Sequence, residues 1–292
     1  MGSATVMNNT IAGRSGTFDL GGSRTVTRLG FGSMQLTGPG VWGEPSDPDE
    51  AVRVLRRAVE LGVDFIDTAD SYGPFVAENL IKRALHPYRE NLTIATKAGL
   101  TRTGPGQWHP VGRPEYLRQQ CELSLRHLGS ERIELFQLHR IDPLVALEDQ
   151  VGELKSLQEE GKIGLIGLSE ISVAELTAAS GIARIASVQN LYNLANRQAE
   201  DLLDHCEERG IGFIPWFPLA TGDLARQDGP LRDLAQDKGA SASQIALAWL
   251  LRRSPVMLPI PGTSSVTHLE ENLEAAAIEL DDTDLKSLDA LA

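Results

Sequence analysis

Cysteine is almost missing from this chain. Cys121 and Cys206 lie far apart inside helical patterns, with no C-x-x-C and no His/Cys cluster. That excludes a disulfide framework and a zinc site. Basic runs are missing too, and with a formal net charge of -13 the chain would repel nucleic-acid phosphates. No apolar run approaches the roughly 18 residues of a membrane span. The first sixteen residues are small and polar, without the apolar core of a signal peptide; residues 1–16 read as a disordered N-terminal segment. No G-x-G-x-x-G joins a strand to a helix, since Gly30-Phe31-Gly32 lacks the third glycine and the helix; a doubly wound dinucleotide fold is therefore disfavoured. No nucleophile elbow, P-loop or metal cluster suggests hydrolytic or phosphoryl chemistry. A cytoplasmic enzyme acting on a small molecule is the expectation these absences leave.

What the chain does have is alternation. Of its 292 residues, 41% are hydrophobic and 23% charged, ample material for a core. Thr17–Leu20 and Thr25–Thr27 flank Gly21-Gly22-Ser23, a hairpin signal because glycine allows the positive φ of such turns. A short strand over Arg28–Ser33 follows. Asp47 opens a helix with Ala51, Val54, Leu55, Ala58, Val59 and Leu61 broadly on one face, and Gly62 stops it. Strands at 63–66, 92–96, 133–138, 163–168, 185–189, 211–216 and 256–260 then alternate with helices at 77–85, 113–128, 144–160, 172–179, 197–209, 230–238, 241–252 and 266–277; a last helix covers 281–291. Near-continuous apolar strands between amphipathic helices mean parallel strands covered by helices. Eight such units predict an α/β protein, a (β/α)8 TIM barrel with an N-terminal β-hairpin and extra C-terminal helices, spanning 17–292 as one domain.

Active sites of such barrels sit at the C-terminal ends of the strands. Here an ionisable residue closes strands two, three and four in succession: Asp67, Lys97 and His139, with Tyr72 in the loop after Asp67. Singly, each has an ordinary explanation: a turn acid, a solvated strand-end lysine, a core histidine, a rim aromatic. Jointly they do not, because strands about 4.8 Å apart bring all of them to one small volume. Lys97 beside a phenol, itself paired to Asp67, is expected to lower the Tyr72 pKa and make it a general acid. His139 is placed to donate to the same substrate oxygen. That set suits reduction of a carbonyl. Asp70, in the same stretch, reads as an ordinary loop acid.

The segments Phe65-Ile66-Asp67-Thr68-Ala69-Asp70-Ser71-Tyr72-Gly73, Ile94-Ala95-Thr96-Lys97-Ala98-Gly99 and Gln137-Leu138-His139 resemble the signature strand ends of the aldo-keto reductase superfamily, in order and in spacing. The resemblance runs from the hairpin to Asn272. It implies Asp67, Tyr72, Lys97 and His139 as a catalytic tetrad and an extended nicotinamide cofactor, NADPH/NADP+, with NADH as the alternative. It also implies that Ser169 and Gln189 contact the carboxamide, that Trp216 stacks on the nicotinamide, and that Leu219 and Gly222 approach the pyrophosphate. At the far end Gly262, Ser264, Ser265 and His268 would take the adenosine phosphate, and Glu271 and Asn272 the adenine. Many members carry cations where this chain has Gly262 and His268, and asparagine where it has Glu170, which is expected to face solvent.

Met34, Trp42 and Trp108 are candidates for an apolar substrate pocket. Trp42 and its turn-rich loop, with Tyr72-Gly73-Pro74 and His139-Arg140-Ile141-Asp142-Pro143, resemble a bacterial branch that includes pyridoxal reductases. Arg140, next to His139, could meet an anionic group, but a surface salt bridge is the expectation. The implied function is NADP(H)-dependent reduction of an aldehyde or ketone to an alcohol, with a small-molecule carbonyl as the partner. Two alternatives are an NADP(H)-binding regulatory subunit on the same fold and an unrelated barrel enzyme that binds no nicotinamide.

Overall fold

The computed structural model describes residues 10–217 and 229–291. It opens on a 3-10 helix, Ala12–Ser15, whose Ala12 is fully buried and donates its N–H to Leu61 O at 3.1 Å. Residues 10–16 are therefore packed against the body rather than disordered; 1–9 lie outside the described residues. The hairpin is formed by β1 (Thr17–Leu20) and β2 (Arg24–Thr27), with Gly21 and Gly22 both at positive φ. Its Leu20 and Val26 cluster with Phe65, Ala95, Leu135, Ile214, Leu258 and Ile260. Those six side chains come from the barrel segments, so the hairpin plugs the barrel floor.

The barrel begins with β3 (Phe31–Gly32), α1 (Pro48–Glu60), β4 (Phe65–Asp67), α2 (Val76–Leu85) and β5 (Thr93–Ala98). A second hairpin, β6 (Leu100–Gly104) and β7 (Gln107–Pro110), follows before α3 (Pro114–Leu128). Then come β8 (Ile133–Leu138), α4 (Leu147–Glu159), β9 (Ile163–Ser169), α5 (Val173–Ser180), β10 (Ile185–Leu191), α6 (Glu200–Arg209) and β11 (Gly212–Trp216). Helices α7 (Pro230–Asp237), α8 (Ala242–Arg253), α9 (Val266–Glu274) and α10 (Asp282–Asp289) complete the chain. The helix starts are chemically signalled. Asp47 caps α1 by accepting from Glu50 N at 2.8 Å, ahead of Pro48 in the first turn.

Strands β3, β4, β5, β8, β9, β10 and β11 lie side by side in that order, all parallel. The eighth expected strand, 256–260, is not a regular strand. Pro259 and Pro261 have no N–H to donate, yet the segment still seals the barrel. On one side Phe213 N reaches Val256 O and Leu258 N reaches Phe213 O, both at 2.8 Å; on the other, Gly30 N donates to Pro259 O at 2.9 Å and Gly32 N to Pro261 O at 3.4 Å. The fold is a closed (β/α)8 barrel. Between its strands and helices lies the main apolar core. Because side chains alternate along a strand, one residue in two points inward: Phe65 then Asp67, Ala95 then Lys97, Leu135 then Gln137. The lower inward layer is apolar, against the hairpin, and the upper one is polar.

Candidate active site

Four expected residues meet at the top of that upper layer. Lys97, wholly buried, donates from Nζ to Asp67 Oδ1 at 2.6 Å, to Thr68 O at 2.8 Å and to Tyr72 Oη at 3.3 Å. An ammonium has three protons, and all three are engaged. Burial works against the Lys97 charge, but Asp67 and Tyr72 outweigh it and its pKa is raised. Asp67 Oδ2 accepts from Gln137 Nε2 at 3.1 Å and Gln189 Nε2 at 3.0 Å. The carboxylate is thus held from both sides, as a buried charge requires.

Tyr72 is pinned by backbone as well as by Lys97. The β4–β5 ladder continues into the loop, with Thr68 N on Ala95 O at 2.8 Å and Asp70 N on Lys97 O at 3.1 Å. The expected lowering of the Tyr72 pKa is reversed: burial raises it, and the Asp67 charge adds to that, while Lys97 pulls only partly back. The phenol is held in its protonated form at neutral pH, the form a general acid needs. The buried His139 is pushed well below the ordinary imidazole value by burial and then by Lys97, Arg140 and Arg102. It is neutral, with Nδ1 and Ser71 Oγ 3.3 Å apart. Its ring stands 5.9 Å from that of Tyr72 and 6.3 Å from that of Trp108, both edge-on.

These groups open into a cavity of about 490 Å³. Its polar lining includes Asp67, Tyr72, His139, Arg140, Ser169 and Gln189; its apolar walls include Met34, Leu100, Trp108, Trp216 and Ile260. Met34 and Trp108 are therefore where they were expected. Trp42 is not: it lies outside the lining, 36% exposed, with the Arg102 guanidinium 5.7 Å from its ring.

Several residues behave differently from the sequence reading. Glu170 does not face solvent. It sits at φ 54°, a conformation a glutamate adopts only when held. Its Oε1 accepts from Leu191 N at 2.8 Å and from the Trp216 indole N–H, which fixes the indole at the cavity edge. Asp70 stands in the loop after β4 but is not an ordinary loop acid. It is buried, and burial first and then the neighbouring Glu78 raise its pKa well above the carboxylate range. Glu78 itself is pushed up to about 7 by burial, against a hydrogen bond from Thr96 Oγ1. Arg140 forms no salt bridge among the described residues; its Nη1 donates to His139 O at 2.7 Å and Ser169 Oγ at 3.1 Å. Gln137, though part of the segment Gln137-Leu138-His139, and Arg102 had no role assigned from the sequence. A glutamine inside the apolar run Ile133–Leu138 was the available signal, since a buried amide must have partners. Arg102 carried no such signal, because its partners are backbone carbonyls of two distant loops.

With this geometry in view, the comparisons are decisive. A model of the aldo/keto reductase family matches residues 28–292. The chain belongs to the aldo/keto reductase family. It is 51% identical over 278 residues to an uncharacterized oxidoreductase of Schizosaccharomyces pombe, covering 95% of this chain and 90% of that protein. It is 42% identical to the pyridoxine 4-dehydrogenase of Escherichia coli over 284 residues, covering 95% and 99%. The crystal structure of an aldo-keto reductase from Klebsiella pneumoniae in complex with NADPH superposes with a TM-score of 0.81 at 28% identity, covering 94% of each chain.

In this aldo/keto reductase the segment expected at the adenosine end starts beside the barrel seam. Gly262 forms a bridge with Gly32 and lines the cavity. Ser265 caps α9 by accepting from His268 N at 3.5 Å, and Ser264, His268 and Glu271 are exposed while Asn272 is buried. Leu219 and Gly222 lie outside the described residues.

Proposed function

We propose that this oxidoreductase reduces an aldehyde or ketone to an alcohol with NADPH, the proton coming from Tyr72. The observation that carries the reading is the Asp67–Lys97–Tyr72 chain of contacts, 2.6 Å and 3.3 Å long, opening into a walled cavity beside a neutral His139. The residues present fit a nicotinamide. Gln189 spends its amide N–H on Asp67, which leaves its carbonyl for a carboxamide. Trp216 presents a ring whose edge is already fixed by Glu170, and Ser169 lines the same wall. At the far end Gly262 approaches Gly32 closely, so that an added Cβ would stand 2.8 Å from Gly32 O. When bound, the cofactor supplies the hydride.

The chain's own residues do the rest. Tyr72 Oη, protonated and held by Lys97, delivers a proton to the carbonyl oxygen as charge develops there. Lys97 stabilises the phenolate left behind, and Asp67 keeps Lys97 charged and in place. The neutral His139 ring, fixed through Ser71, is positioned beside that oxygen and favours the bound carbonyl geometry. Leu100 and Trp108 give the cavity an apolar wall beside these groups. The branch resemblance and the Escherichia coli relative make pyridoxal, an aldehyde without a carboxylate, the reference compound to assay.

Tyr72→Phe is the direct test. It keeps the ring and its packing, so NADPH binding, read by quenching of tryptophan fluorescence, stays within a few-fold. Turnover of an activated aldehyde falls by about 10²- to 10⁴-fold, the usual worth of a positioned acid. Undiminished turnover in that variant rules the assignment out. Tight NADPH binding by the unmodified protein with no oxidation across a broad carbonyl panel would instead favour the regulatory-subunit reading.

A further inference from the structure

Among the groups lining the cavity, Arg140 is a cation that forms no ion pair among the described residues. Lys97 is neutralised by Asp67 at 2.6 Å. Arg102, the other nearby guanidinium, is saturated: Nε donates to Gln107 O at 2.8 Å, Nη1 to Val41 O and Ser71 O at 2.7 Å each, and Nη2 to Gly40 O at 2.8 Å. It lies flat on Trp108, 3.5 Å from the ring centre, and does not line the cavity. Arg140 does line it. Both of its hydrogen bonds leave from Nη1, to His139 O and Ser169 Oγ; Nε and Nη2 have no partner among the described residues. Glu170 is close enough to act on it electrostatically but forms no ion pair with it; its Oε1 is directed at Leu191 N and the Trp216 indole N–H.

A guanidinium that loses water without gaining an anion is costly, and its five donors favour a planar carboxylate. Arg140 is near enough to the reacting groups to influence the titration of both Tyr72 and His139. The cofactor's phosphates do not account for it. Arg140 follows β8, the fourth strand from either end of the order β11-β10-β9-β8-β5-β4-β3. The segment 256–262 joins the two ends of that order, so it and the phosphate end are opposite Arg140 across the barrel.

We infer that Arg140 is the specificity residue of the site, and that the preferred substrates are carbonyl compounds bearing a carboxylate within a few bonds of the carbonyl. This rests on the reduction reading above, since it names that reaction's substrate class. The Arg140 Nη1 bonds hold the guanidinium plane, and the free Nε and Nη2 edge takes the carboxylate. The carbonyl then reaches Tyr72 and His139.

The experiment compares 2-formylbenzoate with its methyl ester, two aldehydes of similar shape that differ in charge, in the NADPH-loaded full-length enzyme. The acid is expected to have a kcat/KM higher by about 10- to 100-fold, the worth of one charge-assisted pair. Arg140→Met should collapse that ratio to near one, and Arg140→Lys should restore part of it. High salt should weaken the preference without abolishing it, as Arg140 is half-buried in the cavity wall. Equal kcat/KM for acid and ester in the unmodified enzyme overturns the inference, whatever the variants do. So does an Arg140→Met variant that weakens NADPH binding while keeping the acid-to-ester ratio. Should neither compound be reduced, the reduction reading is what has failed. Calorimetric binding of the two compounds then decides the anion site: selective binding of the acid supports it, and equal binding ends it.

Discussion

Glu78 shows how burial turns an ordinary residue into a pH-dependent one. Its Oε1 accepts from Thr96 Oγ1 at 2.6 Å, while Oε2 is buried without a partner among the described residues. Burial pushes the carboxyl up to about 7, so the folded state holds this proton more tightly than the unfolded chain does. The associated stability is fully present below the ordinary carboxylate value and is lost as pH rises through about 7. Glu78→Gln keeps the acceptor for Thr96 and removes the titration. The variant should be more stable than the parent at pH 8, by on the order of 3 kcal/mol, with the gap shrinking below pH 5. Urea unfolding at the two pH values measures it; a gap of equal size at both would remove Glu78 as the titrating group. Asp67, Tyr72, Lys97 and His139 were legible as residues because each interrupts or follows an apolar strand with a charge or a hydroxyl. The direction of the Tyr72 shift was not, since it depends on how much solvent the folded walls remove.

At the scale of elements, the β6–β7 hairpin decides the shape of the pocket. Nothing in 100–110 had the strand alternation that would announce it, and Gly104-Pro105-Gly106 reads as loop. Its position comes from Arg102, which ties it to Val41 O, Gly40 O and Ser71 O. Trp108 is thereby brought edge-on to Tyr72, with ring centres 6.4 Å apart. Arg102→Met should free the hairpin from both loops. The expected result is a KM for the aldehyde raised on the order of 10-fold with a smaller fall in kcat, the pattern of lost positioning rather than lost chemistry. Steady-state kinetics separate the two; a fall in kcat alone with KM unchanged argues against the strap.

The whole molecule depends on closing a sheet whose last segment is poor in donors. Gly32 and the segment carrying Pro259 and Pro261 meet backbone to backbone, and a Cβ on Gly32 would stand 2.6 Å from Ile260 O. Gly32 is not at positive φ, so the objection to a side chain is space alone. Gly32→Ala should lower stability by about 1–3 kcal/mol, the usual cost of overpacking, and weaken NADPH binding because the seam lies at the cavity mouth. Thermal unfolding together with a fluorescence titration reads both. A variant as stable as the parent means the seam yields without cost, and the closure argument fails.

By itself the sequence determined the alternation of strands and helices, hence a barrel, and the polar residues at the ends of three successive strands, hence a site. Both are written in local pattern: a period of two or 3.6, a cap, a charge where an apolar run stops. The tertiary structure alone decided that the eighth strand is a proline-broken seam. It alone placed Gln137 and Gln189 on Asp67, made Glu170 hold Trp216, left Trp42 outside the pocket lining, and put Arg140 in that lining with no ion pair among the described residues. Each of these depends on partners tens to hundreds of residues away and on water removed by walls that exist only once the barrel has closed.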